Sequence, residues 1–215
     1  MRWFRRKRPE PPPAPVHLPN PAEAAVAFWE RWHALLPRIS GALGDGQPQR
    51  VEHELCELVA SVHPRLEFAI QRGRRAVYAL VLSSREDPVV RPYTDAWRAA
   101  APHEDMIWEY HDSVPPVPDT DEVTVNIGEH RLPLADIRLL TEPTDDGVVD
   151  VVVHHPVFAD LGEDDRMRVA FLALDAALGE RVAAGVVGRV ELSLTDGPRS
   201  ITLPQFRRAF EPPEG

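Results

Sequence analysis

Apolar residues recur along this chain with two different periods, and proline- or glycine-rich breaks separate the blocks. Phe28, Trp32, Leu35, Leu36 and Ile39 follow the spacing of one helix face. Asn20 and Pro21, with Glu23 three residues after Asn20, have the form of a helix start. Pro37 is expected to kink or end that helix, with Gly41, Gly44 and Gly46 in a loop. A second helix is predicted from about Pro48 to Val62, with Val51, Leu55, Leu58, Val59 and Val62 on its apolar face. His63-Pro64 stops it. The period then switches to two: Leu66, Phe68 and Ile70 alternate, Gly73 marks a turn, and Ala76 to Leu82 reads as the second arm of a hairpin. Asp87-Pro88 opens a third helix carrying Tyr93, Ala96, Trp97 and Ala100, and Met106 to His111 reads as a strand.

The segment VPPVPD, residues 114–119, is the clearest internal break. Beyond it Val123, Val125 and Ile127 alternate, and 131–134 and 137–140 are short extended segments. Val148–Val153 is an almost unbroken β-branched run of the kind found inside a sheet. A fourth helix is predicted from Glu163, with Met167, Ala170, Phe171, Leu174 and Leu178 inward and Gly179 as its cap. Val187 to Leu194 is a last strand, and 203–210 a short helix or extended tail.

The order predicts an α+β fold: two N-terminal helices, then two strand-strand-helix-strand units, 65–112 and 123–194, in mostly antiparallel or mixed sheet. VPPVPD is too short and stiff for a free linker, so 20–211 reads as one domain built from two similar halves. Residues 1–19 have no apolar period and six prolines, and read as a disordered, extended arm.

Taken in order, several segments resemble an uncharacterised bacterial family of α+β proteins. An FWxWF-like helix corresponds to Phe28, Trp29 and Trp32, although HALL follows here. An HPxLxFE-like strand entry corresponds to His63, Pro64, Leu66 and Phe68, with Glu67 before rather than after the phenylalanine. An AAP turn and a tryptophan strand correspond to Ala100, Ala101, Pro102 and Trp108. An FLLLDxxLGE-like helix corresponds to Phe171, Leu172, Leu174, Asp175, Leu178, Gly179 and Glu180, followed by Gly188, Val190 and Glu191. That family has no assigned activity, so the resemblance implies a fold and carries no catalytic residue.

Charge changes the picture more than overall composition does. The net charge is −10, but Arg2, Arg5, Arg6, Lys7 and Arg8 concentrate positive charge at the start, leaving about −15 for the rest. Lys7 is the only lysine. An acidic body argues against specific nucleic-acid binding. No apolar run reaches the ~20 residues of a membrane span, and the basic start runs into PEPPPAP rather than a signal-peptide core. Cys56 is the only cysteine, so no intrachain disulfide exists. Its place in the helical pattern reads as a small buried hydrophobe. These features point to the cytoplasm, with the inner membrane face as an alternative.

There is no phosphate-binding loop, GxSxG elbow or HExxH, and no cofactor or metal set is expected. Three weaker features remain. Glu109 and His111 share one face of a strand, where a carboxylate could tune an imidazole. His154 follows the buried run and could join them if the strands are neighbours; His155 points the other way. Asp175 lies beside the apolar face of the fourth helix, placed to cap a loop or pair with an arginine.

The leading expectation is a non-enzymatic accessory or binding module whose acidic domain contacts an unidentified protein partner, with an apolar patch rimmed by acids. The alternatives are an enzyme, for instance a hydrolase, using Glu109, His111 and His154, and a peripheral membrane protein. The last would use Arg2, Trp3, Phe4, Arg5, Arg6, Lys7 and Arg8 against anionic lipid.

Overall fold

Asn20 starts the first helix as the sequence predicts: its Oδ1 accepts from the N–H of Ala22 at 2.9 Å, and Pro21 occupies the first helical position. The computed structural model describes residues 18–211. The helix, α1 (Pro21–Gly44), runs through Pro37, Gly41 and Gly44 instead of ending there. Pro37 removes the N–H that would bond to the His33 carbonyl. Both residues are exposed, so that carbonyl is open to solvent, while Trp29 and Trp32 before the proline and Ile39 and Ala42 after it are all buried. Packing on both sides holds one continuous helix.

A short 3-10 turn (Pro48–Arg50) leads to α2 (Glu52–Val62), which buries Leu55, Leu58, Val59 and Val62. Cys56 lies off that face and is exposed, not buried as its pattern suggested. Next come β1 (Glu67–Arg72), β2 (Tyr78–Ser83), α3 (Arg91–Ala99) and β3 (Trp108–His111). β2 is the centre of a three-stranded sheet, antiparallel to β1 and parallel to β3. Its position between two strands accounts for its nearly complete burial. Phe28, Trp29, Trp32, Trp97, Trp108 and Tyr110 form an aromatic cluster between the helices and this sheet, with Trp29 stacked on Trp97 at 4.8 Å. The Trp29 indole N–H donates to the Trp97 carbonyl at 2.9 Å.

The second half starts with a two-stranded sheet of β4 (Thr124–Ile127) and β5 (His130–Pro133). It continues with β6 (Arg138–Pro143), β7 (Val149–His154), α4 (Glu163–Leu178), α5 (Glu180–Val186), β8 (Val187–Ser193) and α6 (Leu203–Arg208). β7, the β-branched run, lies in the centre of its sheet, antiparallel to β6 and parallel to β8. Hairpin, helical crossover and parallel third strand therefore occur in both halves. Buried side chains gather in two clusters, one on residues 24–110 and one on residues 132–206. Among the described residues no helix is long and apolar enough to cross a membrane.

Two inward positions expected on α4 are displaced. Val169, Ala170, Ala173, Leu174, Ala177 and Leu178 are buried, whereas Phe171 is 50% exposed and Met167 is half-buried. Ala170, Ala173 and Ala177 take this buried face, and alanines register weakly in a hydrophobic pattern. The segment 180–186, given no element by its sequence pattern, forms α5. The basic arm, Arg2, Trp3, Phe4, Arg5, Arg6, Lys7 and Arg8, lies outside the described residues.

Candidate functional site

Glu109 and His111 are together, as alternation on a strand requires, but the surroundings of Glu109 define its work. Glu109 is 1% exposed. Its Oε1 accepts from the N–H of Arg74 at 2.8 Å, and its Oε2 from the N–H groups of Arg75 at 2.9 Å and Ala76 at 3.3 Å. His111 Nε2 lies 3.1 Å from Oε1. Burial alone would raise the pKa of this carboxyl, but the Arg74 N–H, His111 and the Arg75 N–H outweigh it and bring the pKa down to about 2. The carboxylate thus ties down the β1–β2 turn, where a Cβ on Gly73 would meet the Ala76 carbonyl oxygen at 2.5 Å.

His154 belongs to the other sheet, and its Nδ1–H donates to the Ser193 carbonyl at 3.1 Å. No hydrogen bond or ion pair among the described residues connects it to Glu109 or His111. His155 is buried: its Nδ1 accepts from the Val157 N–H and its Nε2–H donates to the Pro133 carbonyl, both at 3.1 Å. Burial holds its pKa below the usual histidine value, which the Pro133 bond opposes. Both imidazoles thus serve the local backbone. Among the described residues no group of three or more His, Cys, Asp or Glu side chains is placed to hold a metal ion.

The residues that converge lie where the two halves meet. Ser83, the last residue of β2, donates its hydroxyl to Glu180 Oε1 at 2.6 Å. Glu180 Oε2 accepts from the Val114 N–H at 2.9 Å, and the Glu180 N–H donates to the Val114 carbonyl at 2.9 Å. Gly179 makes this approach achievable. Its φ of 82° and ψ of 149° suit glycine, and a Cβ there would stand 2.8 Å from Pro116 Cδ. Next in the chain, Arg181 binds Asp112 at 2.8 Å, Asp95 at 3.0 Å and Glu86 at 3.5 Å. Arg91 reaches Glu86 at 2.8 Å. VPPVPD is also held, since Arg207 on α6 donates to the Val117 and Pro118 carbonyls at 2.6 and 2.9 Å.

Beside Glu180 opens a cavity of about 350 Å³, within the range of small-ligand sites. Its apolar wall includes Phe171 and Leu174 from α4, Ala183 and Ala184 from α5, and Val187. Arg85 and Glu86 enter from the β2–α3 turn, both with left-handed φ, 52° and 51°. Two successive left-handed non-glycine residues cost about 1–3 kcal/mol each. The turn places Arg85 where it binds Glu67 through two nitrogens, at 2.8 and 2.6 Å.

Asp175 also lines this cavity, and its side chain makes no hydrogen bond or ion pair among the described residues. Burial raises its pKa to about 6, the charge of Glu180 adds to the rise, and Arg85 opposes it. Among the described residues Asp175 neither caps a loop nor forms an ion pair with an arginine; it lines the cavity, half-buried. The sequence marked Asp175, but Ser83, Arg85 and Glu180 carried no signal of a site, because their meeting depends on a contact 97 residues long. Asp175, Gly179 and Glu180 all belong to the FLLLDxxLGE-like segment, so that segment supplies the junction as well as core. Compared with protein-family models, curated proteins and solved structures, the chain matches none.

Proposed function

We propose that the protein is a cytoplasmic binding module whose junction cavity receives a segment of a partner protein that carries a positive charge next to an apolar side chain. The observation that supports this most directly is Asp175: a half-buried carboxyl without a hydrogen-bond or ion-pair partner among the described residues, set beside the exposed Phe171 ring on an apolar wall. A guanidinium or ammonium would satisfy this carboxyl, and an attached apolar group would cover Phe171 and Leu174. Leu172 and Val182, on the same two helices, are 40% and 45% exposed.

Calorimetric titration with a short arginine-tryptophan peptide amide tests the reading. Asp175→Asn is expected to weaken binding about tenfold near pH 7.5, one lost charge pair being worth on the order of 1.4 kcal/mol. Lowering the pH towards 5 should weaken the wild type, because the carboxyl must ionise to bind. Equal affinity for wild type and variant would refute the assignment.

A second reading, contact with an anionic membrane, has its own supporting observation. Val77, Met106 and Ile107 are 55%, 83% and 51% exposed. They sit together where β2 and β3 begin, since the N–H of Val77 donates to the Met106 carbonyl at 3.0 Å. Arg72 and Arg74 border the same groove without a carboxylate partner among the described residues. Co-sedimentation with phosphatidylserine vesicles should fall when Met106 and Ile107 become serine; unchanged sedimentation would reject this reading.

A further inference from the structure

The basic start of the chain and the junction cavity have complementary chemistry. The described lining of the cavity carries three carboxylates, Glu86, Asp175 and Glu180, against one cation, Arg85. This surplus of carboxylate is local, and the chain answers it with Arg2, Trp3, Phe4, Arg5, Arg6, Lys7 and Arg8, aromatic and cationic side chains in direct succession. We propose that this arm is an intramolecular occupant of the cavity: an aromatic ring of the Trp3-Phe4 pair against Phe171 and Leu174, and a neighbouring arginine on Asp175. The proposal rests on the reading of the cavity as a site for a cationic, apolar segment, and makes occupancy by the arm a regulator of partner binding.

The point where the described chain begins favours this occupant. The Tyr93 hydroxyl donates to the Pro19 carbonyl at 3.2 Å, which fixes the root of the arm on α3. Two residues along the same helix, Asp95 binds Arg181, the neighbour of Glu180 on the cavity wall. From Pro19 back to Phe4 is 15 residues, and a proline-rich chain covers about 3.1 Å per residue, about 45 Å in all. Packed helices lie only about 10 Å apart, so reach is ample.

The single lysine makes a clean experiment. A water-soluble carbodiimide joins an activated carboxylate to an amine without a spacer, and Lys7 carries the only side-chain amine of the full chain. Peptide mapping of monomeric, cross-linked protein is expected to show Lys7 joined to Asp175 or Glu86, with the Asp175 link absent in Asp175→Asn. Lys7 left unlinked, joined only to carboxylates elsewhere, or joined only within covalent dimers overturns the proposal. Replacing both Trp3 and Phe4 by alanine in the full chain should raise the affinity for the arginine-tryptophan peptide about tenfold by removing the competitor; no gain counts against the arm. If the peptide binds in an Asp175-dependent way while Lys7 stays unlinked, the cavity reading stands and the arm is not its occupant. If neither occurs, both fall.

Discussion

Ser83 donates its hydroxyl to Glu180 at 2.6 Å, joining the last residue of β2 to the first residue of α5. Both side chains are buried. Ser83 Oγ also accepts from the Arg85 N–H at 3.0 Å, so one hydroxyl serves the junction and the left-handed turn together. Ser83→Ala should cost about 1–3 kcal/mol in urea unfolding, because a buried carboxylate oxygen then loses its donor. In a double-mutant cycle with Glu180→Ala the two losses should be strongly non-additive. Additive losses would mean that the pair does not act as a unit.

Asp175 makes the stability of the fold depend on pH in a direction opposite to most carboxylates. Its pKa is raised from 3.8 to about 6, so the folded chain holds this proton more tightly than the unfolded chain does. The destabilisation due to its charge is absent below pH 3.8, grows between 3.8 and about 6, and is complete above. In protein lacking the basic arm, Asp175→Asn is therefore expected to raise the melting temperature near pH 7.5 and to leave it unchanged near pH 3.5. A gain of the same size at both values would trace the effect to something other than ionisation.

Glu109 works in the other direction. With its pKa lowered from 4.5 to about 2, it contributes stability that is present above pH 4.5 and is lost as the pH falls through about 2. Glu109→Gln should cost about 2–3 kcal/mol near neutral pH, since charge-assisted bonds to three N–H groups are weakened and an amide N–H₂ faces donors. The difference between variant and wild type should shrink below pH 4.5. Denaturation curves parallel across pH would show that the charge contributes nothing.

Gly179 and Gly46 both have positive φ, 82° and 66°, but only Gly179 is crowded. Gly46→Ala should cost about 1 kcal/mol, the ordinary penalty of a left-handed L-residue. Gly179→Ala adds a contact at 2.8 Å with Pro116 to a backbone region that glycine alone occupies readily, and about 3 kcal/mol is expected. Equal costs at the two positions would mean that the chain relaxes freely around Pro116.

Elements with strong local signals were legible in the sequence. Asn20-Pro21 starts α1, the Val148–Val153 run forms the central strand of its sheet, and the strand-strand-helix-strand order recurs. Errors arose where small residues or distant contacts decide. Pro37 sits inside α1 because tryptophans and Ile39 pack on either side of it. Phe171 is half exposed while Ala170, Ala173 and Ala177, weak signals in a hydrophobic pattern, take the buried face. α5 is too short to show a clear period, and the Val114–Glu180 bonds fix where it begins. Glu109 was visible as a candidate, but its use depends on backbone groups of Arg74, Arg75 and Ala76 across the sheet. Asp175 was visible too, and only the three-dimensional packing reveals that it has no hydrogen-bond or ion-pair partner among the described residues.

The exposure of Cys56 has a practical meaning for experiments on this chain. As the only thiol, standing outward on α2, it can form a disulfide with a second copy but never within one. A dimer that disappears in reductant is thus joined through two α2 surfaces. The same thiol accepts a single maleimide fluorophore, so one probe stands at a known place without any engineered residue.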